Sequence, residues 1–93
     1  MASRRVHIVV EGRVQGVFFR AYTKEEAQKF GLTGWVRNQR DGSVEAVVKG
    51  DGAKVEQMIK WFHRGSPMSA VTRVTVTEEK PVGEHAAFEI HYY

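Results

Sequence analysis

The chain contains no cysteine, so disulfide bridges, CxxC redox chemistry and thiolate metal sites are all excluded. It has two prolines, Pro67 and Pro81, and no low-complexity tract that could act as a linker. Behind Arg4 and Arg5 the apolar run is only five positions long and is broken by His7. That is too short for a signal peptide and far from the roughly 20 apolar residues of a spanning helix, so the cytoplasm is the expected compartment. Several catalytic signatures are also missing. No Gly-Lys-Ser/Thr follows a glycine turn, which removes a Walker A phosphate loop, and no serine sits in a Gly-x-Ser-x-Gly elbow. His7, His63, His85 and His91 do not fall into HExxH or any other local metal-ligand spacing.

What is present fits one small globular domain spanning residues 1–93, with 42% apolar residues and ordinary charge content. A chain of this size buries somewhat more than ~60% of its unfolded surface, enough for one core without staples. The net charge of +3 is unevenly placed: residues 1–40 hold eight Lys/Arg against three Asp/Glu, and residues 41–93 hold six against eight. The basic half suits an anionic ligand, although a small basic excess also serves solubility.

The hydrophobic pattern gives an element order. Val6, Ile8 and Val10 alternate with His7, Val9 and Glu11, the period of a half-buried strand. Residues 21–30 are mostly good helix formers and are closed by Gly31. Residues 32–37 read as a second strand, and Asp41-Gly42 between two apolar runs signals a hairpin into a third strand at 44–49. There Val44, Ala46 and Val48 share one face, while Glu45 and Lys49 take the other with Val47 between them. Asp51 caps a second helix whose Val55, Met58, Ile59 and Phe62 form one buried stripe, ended by Gly65 and Pro67. His63 near its end suits the helix dipole. Residues 71–77 form a β-branched strand, and Phe88 to Tyr92 alternate again as a short extra C-terminal strand. The fold class is therefore α+β: a ferredoxin-like β-α-β-β-α-β sandwich with an antiparallel sheet and two helices on one face.

One stretch carries chemistry. Gly12-Arg13-Val14-Gln15-Gly16-Val17-Phe18-Phe19-Arg20 is a strand-to-helix turn with two glycines and an arginine at the helix start. Such a turn aims several main-chain N–H groups one way at the positive end of a helix dipole. A guanidinium added there makes a cradle for a small tetrahedral anion such as phosphate. Read singly, each residue has a plainer role. The glycines suit any tight turn, Arg20 a solvated helix face and Asn38 a hairpin start, and Phe18, Phe19 and Trp35 read as core residues.

Taken together, these residues resemble a known family. Residues 12–20 are similar to the first signature of the acylphosphatases, G-R-V-Q-G-V-x-F-R. Gly34-Trp35-Val36-Arg37-Asn38, with Gly42-Ser43-Val44 and Gly50, resembles their second. The resemblance covers essentially the whole chain. It implies hydrolysis of the carboxylic-phosphoric anhydride bond of a small-molecule acyl phosphate, with inorganic phosphate as product and inhibitor. It implies that Arg20 binds the phosphoryl oxygens with the main-chain N–H groups of Gln15, Gly16, Val17, Phe18 and Phe19, and that Asn38 holds the attacking water. It also implies no metal, no other cofactor, no covalent phospho-enzyme and a monomer. Gln39 departs from the small hydroxyl residue that some members carry there.

The chemistry of the residues agrees. An acyl phosphate has a good carboxylate leaving group, so positioning and charge stabilisation can carry most of the barrier reduction. Asn38 cannot act as a base. Two other readings stand beside this one. A non-catalytic anion-binding domain would use the same cradle without turnover. An RNA-recognition module shares the element order, but it needs aromatics on the open faces of the first and third strands, where His7, Val9, Glu11, Glu45, Val47 and Lys49 stand. Neither nucleic acid nor membrane is expected as a partner.

Overall fold

A computed structural model describes residues 2–83 and 86–92 of the chain, and His85 lies outside them. The elements are β1 (Ser3–Arg13), α1 (Phe19–Lys29), β2 (Thr33–Asn38), β3 (Val44–Asp51), α2 (Gly52–Arg64), β4 (Ala70–Glu79) and β5 (Phe88–His91). Strand alternation decides how they stack. Val6, Ile8, Val10, Val36, Val44, Ala46 and Val48 are fully buried on one sheet face, in a single core with Val55, Met58 and Phe62 of α2 and Phe19 and Ala27 of α1. α1 lies against β2 and β5, and α2 against β1, β3 and β4. The second helix is delimited as its sequence suggests. The Asp51 carboxylate accepts from the Lys54 N–H at 3.3 Å at its start, and Gly65 ends it at φ 76°. No helix among the described residues is long and apolar enough to cross a membrane.

The five strands run in the order β4-β1-β3-β2-β5. β1, β3, β2 and β4 pair antiparallel, whereas β5 pairs parallel to β2, which makes the sheet mixed rather than antiparallel throughout. The direction follows from the path of the chain. β4 runs opposite to β1, so a strand that turns back after it must run with β1 and therefore with β2. Three consequences meet at one end of the sheet. β1 and β2 both finish there, β5 finishes beside β2, and α1 begins there. Val10 pairs with Val44, Val44 pairs with Asn38, and Arg37 pairs with His91, so one row of residues crosses that end.

Trp35 is not a core residue. Its neighbours Gly34 and Val36 take the buried parity, which turns the indole to the open face, where it stacks on His91 with ring centroids 5.4 Å apart. Gly34 is held by close strand approach: at φ 136°, a Cβ on it would sit 1.9 Å from the Val47 carbonyl oxygen. Gly34→Ala is therefore expected to separate β2 from β3 and cost ~3 kcal/mol or more, read as a lower denaturation midpoint at unchanged slope.

The open face also holds a charged bridge across three strands. The Glu45 carboxylate accepts from Arg37 Nε at 2.6 Å and contacts His7 Nε2 at 2.6 Å. Burial opposes its charged form, but the hydrogen bonds to His7 and Arg37 outweigh that and hold its pKa below the ordinary value of 4.5. A lowered folded pKa stabilises the fold above the unfolded value and ceases to do so as pH falls through the folded one. Glu45→Gln should cost ~1 kcal/mol at neutral pH, and the two proteins should converge in stability well below pH ~4. Denaturant titrations at pH 7 and pH 3 check both halves.

Candidate active site

The segment between β1 and α1 has no regular structure because two of its residues need left-handed backbone. Gly16 has φ 73°, and Phe18 immediately before the helix has φ 58° and ψ 25°. Phe18 is the one non-glycine with positive φ among the described residues, a conformation that costs ~1–3 kcal/mol for a bulky side chain. Both backbone kinks lie between the end of β1 and the start of α1. The N–H groups of Gln15, Gly16, Val17 and Phe18 donate to no acceptor among the described residues. Those of Phe19 and Arg20 fall in the first helical turn, where no intrahelical acceptor exists. Phe19 anchors the helix start in the core, 5.5 Å from the Trp61 ring and 6.2 Å from the Phe62 ring. Arg20, one position on, is thereby turned away from the core.

A pocket of about 340 Å³ opens at this point, lined by Val14, Gly16, Phe18, Phe19, Arg20, Ala21, Asn38, Ile90 and Tyr92. Arg20 and Asn38, 18 positions apart in the chain, are thus brought to one cavity. Asn38 reaches it because it continues the parity of Gly34 and Val36, the face that meets α1. Its Oδ1 is buried without a hydrogen-bond partner among the described residues. A buried acceptor of this kind is uncommon and marks a position for a water or ligand donor. Arg20 forms no ion pair among the described residues; its guanidinium carbon sits 4.9 Å from the centre of the Tyr92 ring. The site therefore joins a guanidinium, main-chain N–H groups with no acceptor among the described residues, and the Asn38 side chain.

Not every residue of the cradle lines the cavity. Val17 is nearly buried in the core, and its carbonyl accepts from the Ser66 hydroxyl at 3.1 Å. Gln15 does something its motif position did not reveal: its side-chain amide donates to the carbonyls of Gln39 at 2.7 Å and Ser43 at 2.8 Å. One side chain thus ties the glycine turn to the β2–β3 hairpin and sets the separation of Arg20's loop from Asn38's. The hairpin is itself braced, since the Asp41 carboxylate accepts from the Ser43 hydroxyl at 2.6 Å and N–H at 2.9 Å. Those hydrogen bonds also lower the Asp41 pKa. Gly12 belongs to β1 beside the β4 edge, outside the cavity. Phe18, expected in the core, is 76% exposed, because the left-handed backbone swings its ring outward.

Ile90 and Tyr92 were not among the sequence-derived site residues. The signal was the shared parity of Phe88, Ile90 and Tyr92: Phe88 is buried, so the other two face the same side. Their place beside Asn38 depended on the parallel pairing with β2. Among the described residues no three His, Asp or Glu gather closely enough to hold a metal ion.

Fold and site together define a class: a ferredoxin-like α+β domain with an arginine-lined pocket at one end of its sheet. The family profile described as acylphosphatase matches residues 6–90. An acylphosphatase of Syntrophobacter fumaroxidans is 54% identical over 92 residues, spanning 99% of this chain and 95% of that protein. The crystal structure of the Bacillus subtilis acylphosphatase superposes with a TM-score of 0.92 at 40% identity, covering 96% of this chain and 99% of that one. The acylphosphatase from Coxiella burnetii gives 0.91 at 35% identity, over 96% and 93%. The chain belongs to the acylphosphatase family, which places it among the hydrolases of acyl phosphates.

Proposed function

We propose that this enzyme hydrolyses small acyl phosphates by direct attack of water on phosphorus. The phosphoryl oxygens lie against Arg20 and the main-chain N–H groups of Gln15 to Phe19. The Asn38 side-chain amide holds the attacking water in line with the leaving carboxylate. A new bond forms from the water oxygen to phosphorus as the bond from phosphorus to the acyl oxygen breaks, and that electron pair leaves on the carboxylate. One water proton passes to a phosphoryl oxygen or to solvent, since Asn38 cannot take it. The products are a carboxylate and inorganic phosphate, and phosphate inhibits by occupying the same cradle. No metal, cofactor or covalent phospho-enzyme takes part, and the working unit is a monomer.

The observation that carries this reading is that Asn38 lines the same cavity as Arg20 while its buried Oδ1 has no hydrogen-bond partner among the described residues. An acceptor fixed beside an anion site can orient one O–H of a water while its lone pair points at phosphorus. The experiment is release of phosphate from benzoyl phosphate by the purified protein, with a metal chelator present, beside a simple phosphate monoester. Chelator-insensitive turnover of the acyl phosphate, with far slower turnover of the monoester, is expected. A folded protein with no turnover would leave the non-catalytic anion- or RNA-binding alternative, and chelator-sensitive turnover would remove the metal-free mechanism.

A further inference from the structure

Phe18 has a role that folding does not explain. It is a large aromatic, 76% exposed, in a left-handed backbone that glycine or asparagine adopts more easily. It buries little apolar surface and caps α1 with no side-chain hydrogen bond. Yet it lines the cavity that holds Arg20 and Asn38. Tyr92 is a second exposed ring on the same cavity, at 79%, and Ile90 adds an aliphatic surface between strand and mouth. The polar side chains lining the site are Arg20, Asn38 and, through its hydroxyl, Tyr92; much of the remaining wall is apolar.

An acyl phosphate is polar at one end only. With its phosphoryl group on Arg20 and the loop N–H groups, its acyl group must project along this apolar wall. Resting on the reading above, we propose that Phe18 is the specificity-determining residue for the acyl group, with Tyr92 and Ile90 completing the wall. The favoured substrates are acyl phosphates with flat, apolar acyl groups, aryl ones above all. Stacking and edge contacts on the Phe18 ring reward such a group and give a short acetyl group little. The exposure of the ring and its strained backbone are then properties of a contact made with substrate.

The test compares kcat/KM for benzoyl phosphate with kcat/KM for acetyl phosphate in each protein, so that any shared change in phosphate handling cancels. The wild type should favour benzoyl phosphate. Phe18→Gly and Phe18→Asn both suit the left-handed backbone and lose the ring, so the preference should fall about tenfold in each, the scale of one lost apolar contact in a half-open pocket. Phe18→Tyr keeps the ring and should keep the preference. An unchanged ratio in the glycine and asparagine variants, with wild-type enzyme active, overturns the acyl wall alone. A ratio lost equally in Phe18→Tyr also overturns it, because the backbone rather than the ring would then be responsible. No turnover of either compound by the wild type overturns the hydrolase mechanism and this inference with it.

Discussion

Arg20→Lys is expected to lower kcat/KM for an acyl phosphate by about 10³-fold or more and to weaken inhibition by inorganic phosphate in the same variant. The charge is retained, so the loss measures geometry. Arginine offers a planar fork that meets two phosphoryl oxygens at once, while lysine offers a single ammonium on a flexible stem. The position makes this demand severe. Arg20 is the second residue of α1, and Phe19 beside it is packed into the core, so the side chain leaves the helix in a direction the fold dictates. The Tyr92 ring, 4.9 Å from the guanidinium carbon, borders it on the other side. Substrate and product share the cradle in this account, so activity and phosphate inhibition must fail together. Loss of turnover with undiminished phosphate inhibition would move the phosphoryl group off Arg20.

Asn38→Ala should behave differently: kcat falls by about 10²–10³-fold while phosphate inhibition stays largely intact. In the proposed mechanism the substitution removes the group that orients water and leaves the phosphate-binding groups in place. The fold gives this variant a clean background, because Asn38 Oδ1 has no partner among the described residues to be orphaned by its loss. Alanine also leaves the backbone pairing of Asn38 with Val44 in place. Steady-state kinetics with phosphate as inhibitor separate the two roles. Equal damage to phosphate affinity in the Arg20 and Asn38 variants would mean that both residues bind the phosphoryl group.

Much of this architecture was legible in the sequence because the determinants are local. The parity of Val6, Ile8 and Val10, the Asp41-Gly42 hairpin and the α2 stripe from Val55 to Phe62 each depend on residues a few positions apart. The two signatures pointed to Arg20 and Asn38, which line one cavity, and the strand alternation that buries Val36 also accounts for Asn38 facing α1. Three features were not legible, and each depends on distant partners or backbone strain. β5 has only four residues, and its parallel pairing is set by which edge of the sheet the chain returns to. Phe18 looked like core because it is apolar and precedes a buried phenylalanine; only the left-handed backbone turns it out. Gln15 looked like one of several loop N–H donors, whereas its side chain spans 24 positions to reach Gln39 and 28 to reach Ser43. That tether joins the loop before Arg20 to the hairpin after Asn38.

In the proposed mechanism, water held at the end of β2 attacks phosphorus. Hydrolysis of benzoyl phosphate in ¹⁸O-labelled water, followed by mass analysis of both products, tests it most directly. Attack at phosphorus leaves one solvent oxygen in the phosphate released by the enzyme and none in the benzoate. Solvent oxygen in the benzoate would place the attack at the carbonyl carbon, and neither Arg20 nor Asn38 would then have the role assigned to it.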